Sequence, residues 1–433
     1  MRQICMIGTG YVGLVTGVCF ADFGHSVLCV DIDSEKIELL KNSMVPFYEP
    51  GLKEFIERNT ARKRLGFSDD VEWGIRESEV VFIAVGTPSL PDGQADLSQV
   101  FEVAKTIALN MTEYKVVVNK STVSVGTGAK VAEVIRAHQK KPVPFDVVSN
   151  PEFLREGSAI EDFMRPDRIV IGASSERAME IMTEIYRPLN LIETPLVKTN
   201  IETAELIKYA SNAYLATRIS FINEIANLCE RVGADVHVVA KAMGLDGRIG
   251  KKFLHAGAGF GGSCFPKDTK ALIKIAQQAG SRVSIVEAAI SVNDHQREVV
   301  FQKIHKMGHP LAGKTIGILG LSFKPKTDDM REAPSIAVIQ KLTEQKARVK
   351  AYDPVAQENA RKIMPGVEFC QDPYAVAEGA DVLVVMTEWN EFRELDMPRL
   401  RQLMKAARIV DARNVYDPGK MRDLGFEYVG MGR

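Results

Sequence analysis

At 433 residues the chain is too long for one ordinary hydrophobic core and implies two or three domains. Its 45% hydrophobic and 26% charged residues, with 33 Gly and 19 Pro, exclude a disordered or fibrous protein. With 55 Lys and Arg against 56 Asp and Glu the net charge is -1, so no chain-wide field favours nucleic acid or an anionic membrane surface.

The first residues, Met1-Arg2-Gln3-Ile4-Cys5-Met6-Ile7-Gly8, carry one basic residue and no small-residue cleavage pattern. No apolar run approaches the roughly 18 residues of a membrane-spanning helix. A soluble, cytoplasmic protein is expected. Its cysteines, Cys5, Cys19, Cys29, Cys229, Cys264 and Cys370, show no Cys-x-x-Cys spacing, which suits reduced thiols better than a disulfide framework.

In chain order, apolar runs at 4–7, 26–30, 80–85, 115–118 and 145–148 alternate with helical patterns, the signature of βαβ units and a buried parallel sheet. Residues 203–232 then read as one long helix with Gly233 as its stop. A second series of strands follows at 315–319, 348–352, 381–386 and 408–410. The two ends resemble each other: Cys29-Val30-Asp31 corresponds in style to Ala351-Tyr352-Asp353, and the run from Val80 to that from Val382. The expected fold is α/β, two Rossmann-like parallel-sheet domains joined by a long central helix and helical connector.

Gly8-Thr9-Gly10-Tyr11-Val12-Gly13 sits between the first strand and a helix, the context a dinucleotide-binding turn requires. Gly8 permits the turn, Gly10 admits the pyrophosphate, Gly13 lets helix pack on strand, and the helix N-terminus faces the phosphates. Asp31 ends the second strand, where a carboxylate accepts from a ribose 2′-OH and repels a 2′-phosphate, favouring NAD over NADP. Asp33 competes for that role but lies beyond the strand end. Gly86-Thr87-Pro88 and Lys120-Ser121-Thr122 follow later strands, at the edge where open α/β sheets bind ligands, although turns and helix caps explain them equally well.

Cys264 differs from the other cysteines. It ends the run Gly259-Phe260-Gly261-Gly262-Ser263 and is followed by Phe265-Pro266-Lys267-Asp268, a loop able to bring a substrate carbon to a thiolate. Lys208 and Asn212, four apart on the long helix, share a face and could stabilise an oxyanion, though a solvated face is the more usual meaning of such a pair. No His, Cys and Asp spacing suggests a metal site.

Together with Asn150-Pro151-Glu152-Phe153-Leu154-Arg155-Glu156-Gly157 and Gly247-Arg248-Ile249-Gly250, these motifs resemble the UDP-glucose/GDP-mannose dehydrogenase family over nearly the whole chain. Arg248-Ile249-Gly250 and Phe265 after the cysteine are similar to its UDP-glucose branch. The resemblance implies a four-electron oxidation of a UDP-sugar, UDP-glucose to UDP-glucuronate, with Cys264 as nucleophile. Lys208 and Asn212 match the oxyanion-stabilising pair, Asp268 the acid that orients water, Glu152 the carboxylate of thioester hydrolysis, and Thr122 a neighbour of that water. Which group is the base in each step stays open. NAD contacts are implied for Gly8, Gly10, Tyr11, Val12, Gly13, Asp31, Lys36, Thr87, Thr122, Glu156, Lys267 and Arg331. Substrate contacts are implied for Glu152, Phe153, Leu154, Lys208, Asn212, Arg248, Phe260, Gly261, Lys324 and Arg413.

The implied domains are 1–198 for NAD, 199–300 for a central helical and dimerising part, and 301–433 for the UDP-sugar. A homodimer is implied, with Arg248 reaching the neighbouring site. Ala258 departs from the Pro that many members carry between the glycines, which bears on the loop's geometry. Three rivals remain. Another nucleotide sugar, GDP-mannose or a UDP-N-acetylhexosamine, would use the same residues. A two-electron hydroxy-acid or 6-phosphogluconate-type dehydrogenase would not need Cys264, and a non-catalytic sensor would bind without producing NADH.

Overall fold

The structure, a computed structural model, describes residues 1–433. The chain divides into two compact units, Met1–Ser211 and Asn212–Arg433, and the division falls inside the helix Ile201–Val232. Glycine ends that helix as the sequence implies, with Gly233 at φ +74°.

The first unit is built on an eight-stranded sheet in the order β3-β2-β1-β4-β5-β6-β7-β8. Its strands are β1 (Gln3–Ile7), β2 (Ser26–Val30), β3 (Leu65–Ser68), β4 (Val80–Ile83), β5 (Lys115–Asn119), β6 (Phe145–Ser149), β7 (Ile169–Ala173) and β8 (Leu196–Thr199). All neighbours are parallel except β6 and β7. Every residue of β4 and β5 is buried, as expected of strands covered on both faces. Each fully buried Val or Ile there contributes roughly 1.5–3 kcal/mol. The predicted strand at 80–85 stops at Ile83, so Ala84 to Thr87 form the edge loop above the sheet.

The second unit carries a six-stranded, wholly parallel sheet in the order β11-β10-β9-β12-β13-β14. Its strands are β9 (Thr315–Leu319), β10 (Arg348–Tyr352), β11 (Glu368–Phe369), β12 (Val382–Val385), β13 (Arg408–Asp411) and β14 (Glu427–Val429). The strand order β3-β2-β1-β4-β5-β6 of the first unit recurs, which is the structural content of the likeness between the two chain ends. Helices Phe265–Gln278 and Ser284–Gly308 precede this sheet. Both sheets place their strand carboxyl ends, and the loops after them, where ligands bind in open α/β folds.

Candidate active site

In the first unit the turn after β1 is shaped by what a side chain would hit. Gly8 has φ +99°, and a Cβ on it would lie 2.7 Å from the Ala84 carbonyl oxygen. A Cβ on Gly13 would lie 2.0 Å from the Gly8 carbonyl oxygen, so glycine there lets the helix Tyr11–Asp22 sit against the turn. Gly10 differs: nothing lies within 4 Å of its Cβ position. The backbone there is open to an approaching group.

Asp31 accepts from the Thr9 N–H (2.8 Å) and hydroxyl (2.7 Å) and pairs with the Lys36 ammonium at 3.3 Å. Its second oxygen accepts only the Asp33 N–H, at 3.2 Å. Burial pulls the Asp31 carboxyl up, but the Thr9 donors, the Asp33 N–H and Lys36 together hold it below the usual carboxylate range. Asp33 caps the next helix by accepting from the Lys36 N–H, so its side chain is engaged in the local turn. Ile32 beside it is 89% exposed, an apolar surface at the edge of this turn.

Tyr11 donates to Glu49, and Glu49 accepts the Gly157 and Ala159 N–H groups at 2.6 and 2.8 Å. The glycine turn is thereby tied to the segment carrying Glu152, Phe153, Leu154 and Glu156. Thr87 donates its hydroxyl to the Thr122 carbonyl at 2.9 Å, joining the loops that follow β4 and β5. Deeper in the same unit, the Lys208 ammonium pairs with Glu152 at 2.8 Å, both side chains being buried. Burial raises the Glu152 carboxyl, yet Lys208, the Leu154 N–H and Lys120 outweigh it and keep the group below its ordinary value. The Arg168 guanidinium stacks on the Phe153 ring at 3.4 Å.

In the second unit Cys264 stands at the N-terminus of the helix Phe265–Gln278, whose positive end favours an anionic sulfur. It is partly exposed while the other five cysteines are buried. The Ser263 hydroxyl lies 3.5 Å from its sulfur. One turn into that helix, Asp268 is 1% exposed and accepts from the Asn212 amide (2.6 Å) and the Lys267 ammonium (2.7 Å). Lys208 and Asn212 are buried on the long helix, not on a solvated face.

The glycine loop before Cys264 is pinned by buried amides. Asn223 accepts the Gly257 N–H at 2.8 Å, Gln296 donates to the Gly257 carbonyl at 2.9 Å, and Asn293 exchanges two hydrogen bonds with Phe260. A Cβ on Gly261 would lie 2.4 Å from the Glu332 carbonyl oxygen, and one on Gly262 would lie 2.7 Å from the Phe323 ring. Ala258 is fully buried in this loop, so the missing proline leaves it packed. Arg413 donates to the carbonyls of Met386 (2.8 Å) and Phe323 (3.0 Å), and Lys324 lies against the Phe323 ring. Phe260, Gly261, Lys324, Arg331 and Arg413 thus gather where the loop meets the carboxyl ends of the second sheet. Arg248 does not join them: its side chain is 89% exposed and pairs with Asp246.

Glu49, Asn223, Asn293 and Gln296 had no motif to mark them. Glu205 carries no motif either, although it shares the Lys208 and Asn212 face of the long helix. It is buried and accepts the Gly126 (2.7 Å) and Gly128 (2.8 Å) N–H groups at the start of the helix Thr127–His138. No group of three or more His, Cys, Asp or Glu side chains is arranged to hold a metal ion.

Family models match three spans. Residues 2–190 match the NAD binding domain of the UDP-glucose/GDP-mannose dehydrogenase family, 202–295 its central domain, and 317–418 its UDP binding domain. A UDP-glucose 6-dehydrogenase of Rhizobium meliloti is 56% identical over 435 residues, covering 100% of this chain and 99% of the relative. The UDP-glucose 6-dehydrogenase TuaD of Bacillus subtilis is 50% identical, covering 100% and 94%. Among solved structures, a UDP-glucose dehydrogenase from Pyrobaculum islandicum aligns with a TM-score of 0.93 at 40% identity, covering 99% of this chain and 97% of the other.

Proposed function

We propose that this chain, which belongs to the UDP-glucose/GDP-mannose dehydrogenase family, catalyses NAD-dependent four-electron oxidation of UDP-glucose to UDP-glucuronate with Cys264 as covalent nucleophile. The observation that carries this reading is the seating of Cys264, a partly exposed thiol at a helix N-terminus, behind a glycine loop and one turn from the buried Asp268–Asn212 pair. A two-electron dehydrogenase or a sensor has no use for that arrangement.

NAD fits the first unit's turn: Gly10 leaves room for the pyrophosphate, and Asp31 keeps one oxygen lightly committed for a ribose hydroxyl. When bound, NAD supplies the hydride acceptor, one molecule for each oxidation. The rest is done by side chains. The Cys264 thiolate adds to the C6 aldehyde, giving a thiohemiacetal whose further oxidation leaves a thioester. Lys208 and Asn212 each offer N–H donors to the oxyanion of those stages. Glu152, ionised beside Lys208, or Asp268, held by Asn212 and Lys267, accepts a proton from the water that cleaves the thioester to carboxylate and free thiol.

Thr87, Thr122, Glu156, Lys267 and Arg331 are assigned to the cofactor. Phe260, Gly261, Lys324 and Arg413 are assigned to the UDP-sugar. The functional spans are 1–198, 199–300 and 301–433, and the working form is a cytoplasmic homodimer in which the exposed Arg248 serves the neighbouring subunit. No helix is long and apolar enough to cross a membrane. The test is kcat/KM with NAD for UDP-glucose, UDP-galactose, UDP-N-acetylglucosamine and GDP-mannose, with Cys264→Ala beside the wild type. UDP-glucose should lead by at least tenfold and Cys264→Ala should lose net turnover to the acid. Preference for another sugar would move the substrate, and a fully active Cys264→Ala would remove the nucleophile.

A further inference from the structure

Lys120 follows the last residue of β5 and is 3% exposed, yet its ammonium has only neutral hydrogen-bond acceptors. It donates to Asn150 Oδ1 at 3.1 Å and to Tyr186 Oη at 3.3 Å. Asn150 is in turn fixed on every side. Its Oδ1 accepts the Tyr186 hydroxyl at 2.6 Å, its amide donates to the Val170 carbonyl of β7 at 2.8 Å, and its own N–H donates to the Asn119 carbonyl at 2.9 Å. Two residues on is Glu152. Burying an ammonium without a carboxylate against it costs several kcal/mol, and groups kept at that cost concentrate where chemistry is done.

We infer that Lys120 is a positioning residue of the reaction: a second buried ammonium that sets the charge balance of the Glu152–Lys208 pair and, through Asn150, holds the turn that carries Glu152. The groups facing it are Tyr186 at the end of the helix Glu176–Ile185, Glu152 from the turn after β6, and Lys208 from the long helix; Arg168, before β7, faces Glu152 in turn. Burial pushes the Lys120 ammonium down to about 7, with Glu152 opposing and Lys208 reinforcing that shift. Below that pH three cations, Lys120, Lys208 and Arg168, face the Glu152 carboxylate, which is then a weak base. Above it Lys120 is a neutral amine, one cation fewer holds the Glu152 charge, and Glu152 takes a proton more readily. The part played in turnover rests on the assignment of Glu152 to thioester hydrolysis; the charge coupling does not.

The test is a carboxyl-carbon NMR titration of Glu152 in the ligand-free protein, with the signal assigned by its loss in Glu152→Gln, for wild type, Lys120→Met and Lys120→Arg. Lys120→Met should raise the Glu152 midpoint by on the order of one pH unit, and Lys120→Arg should restore it. An unmoved midpoint in Lys120→Met overturns the inference whatever the substrate proves to be. Coupling is reciprocal, so if Lys120→Met does not fold, the Lys120 ε-carbon signal serves: its midpoint should fall in Glu152→Gln, and an unchanged one overturns the inference. In turnover, Lys120→Met should move the acid limb of kcat to higher pH by the same interval. A moved Glu152 midpoint with an unmoved limb would overturn the role assigned to Glu152, and with it the part of Lys120 in the reaction.

Discussion

The two sheets of this chain begin in the same way and end in different chemistry. After β1, Gly8 turns at φ +99° and donates to the Val30 carbonyl at 2.8 Å; after β9, Gly320 turns at φ +88° and donates to the Tyr352 carbonyl at 2.8 Å. In each, an acid ending the second strand takes the next N–H, Asp31 from Thr9 and Asp353 from Leu321. There the likeness stops. The first unit starts its helix at Tyr11, leaving Gly10 open and Asp31 partly exposed. The second inserts residues 321–333 before its helix Pro334–Glu344, puts Ser322 where the first has Gly10, and buries Asp353 among six donors. The same carboxylate is partly exposed with one lightly committed oxygen in one frame and an internal anchor in the other. The inserted loop forms the wall against which Gly261 and Gly262 pack.

The largest expected effect tests the anchor. Asp353→Ala strands buried N–H groups of Leu321, Ser322, Val355 and Ala356 and the Trp389 indole, at about 1–3 kcal/mol per lost acceptor before relaxation, so a total on the order of 4 kcal/mol is expected in denaturant unfolding. NAD affinity, titrated in the folded fraction, should not change.

A second contrast lies in helix capping. Glu205 caps the helix Thr127–His138 from a buried, distant position, and burial pushes its carboxyl up to about 7 against the pull of the Gly128 and Gly126 N–H groups. A carboxyl that binds its proton more tightly in the native state stabilises fully below its unfolded value and loses that contribution as pH rises through the folded one. Wild type should therefore lose up to about 3 kcal/mol relative to Glu205→Gln between about pH 4.5 and 7, read from melting temperatures across that range. In the second unit Asp417 caps the helix Pro418–Asp423 locally and exposed, accepting the Lys420 N–H at 2.9 Å, which holds its carboxyl low. Its contribution has the opposite sign, present at neutral pH and lost as pH falls. Parallel stability curves for wild type and Glu205→Gln would remove this contrast.

Smaller effects are expected at the open turn. Asp31→Ala should weaken NAD by about 2 kcal/mol, roughly thirtyfold, and, by stranding the buried Thr9 N–H and hydroxyl, lower stability by about 1–3 kcal/mol. Gly10→Ser copies the second unit's residue into the first. With no atom near the Cβ position the fold should keep its stability within about 0.5 kcal/mol, while NAD affinity falls about tenfold. Unchanged NAD binding in both variants would place the cofactor elsewhere.

Much of this is legible in the sequence alone. The glycine spacing, the apolar strand runs and the odd setting of Cys264 are local signals, and local signals survive in sequence. The short strands β3, β11 and β14 gave too few alternating residues to stand out, and β8 is half exposed. Lys208 and Asn212 were hard for another reason. Helical spacing shows which residues share a face, not what covers that face, and the partners Glu152 and Asp268 are each 56 positions away. The face running through Glu205, Lys208 and Asn212 is polar and buried, so its pattern reads as solvated. Lys120 and Asn150 were invisible as a pair because only the β5–β6 pairing brings them together.

The most direct test of the whole account is the yield of NADH per UDP-glucose consumed at completion. Two NADH, with UDP-glucuronate as the only sugar product, is the predicted result. One NADH with an accumulating aldehyde would contradict the covalent four-electron role given to Cys264.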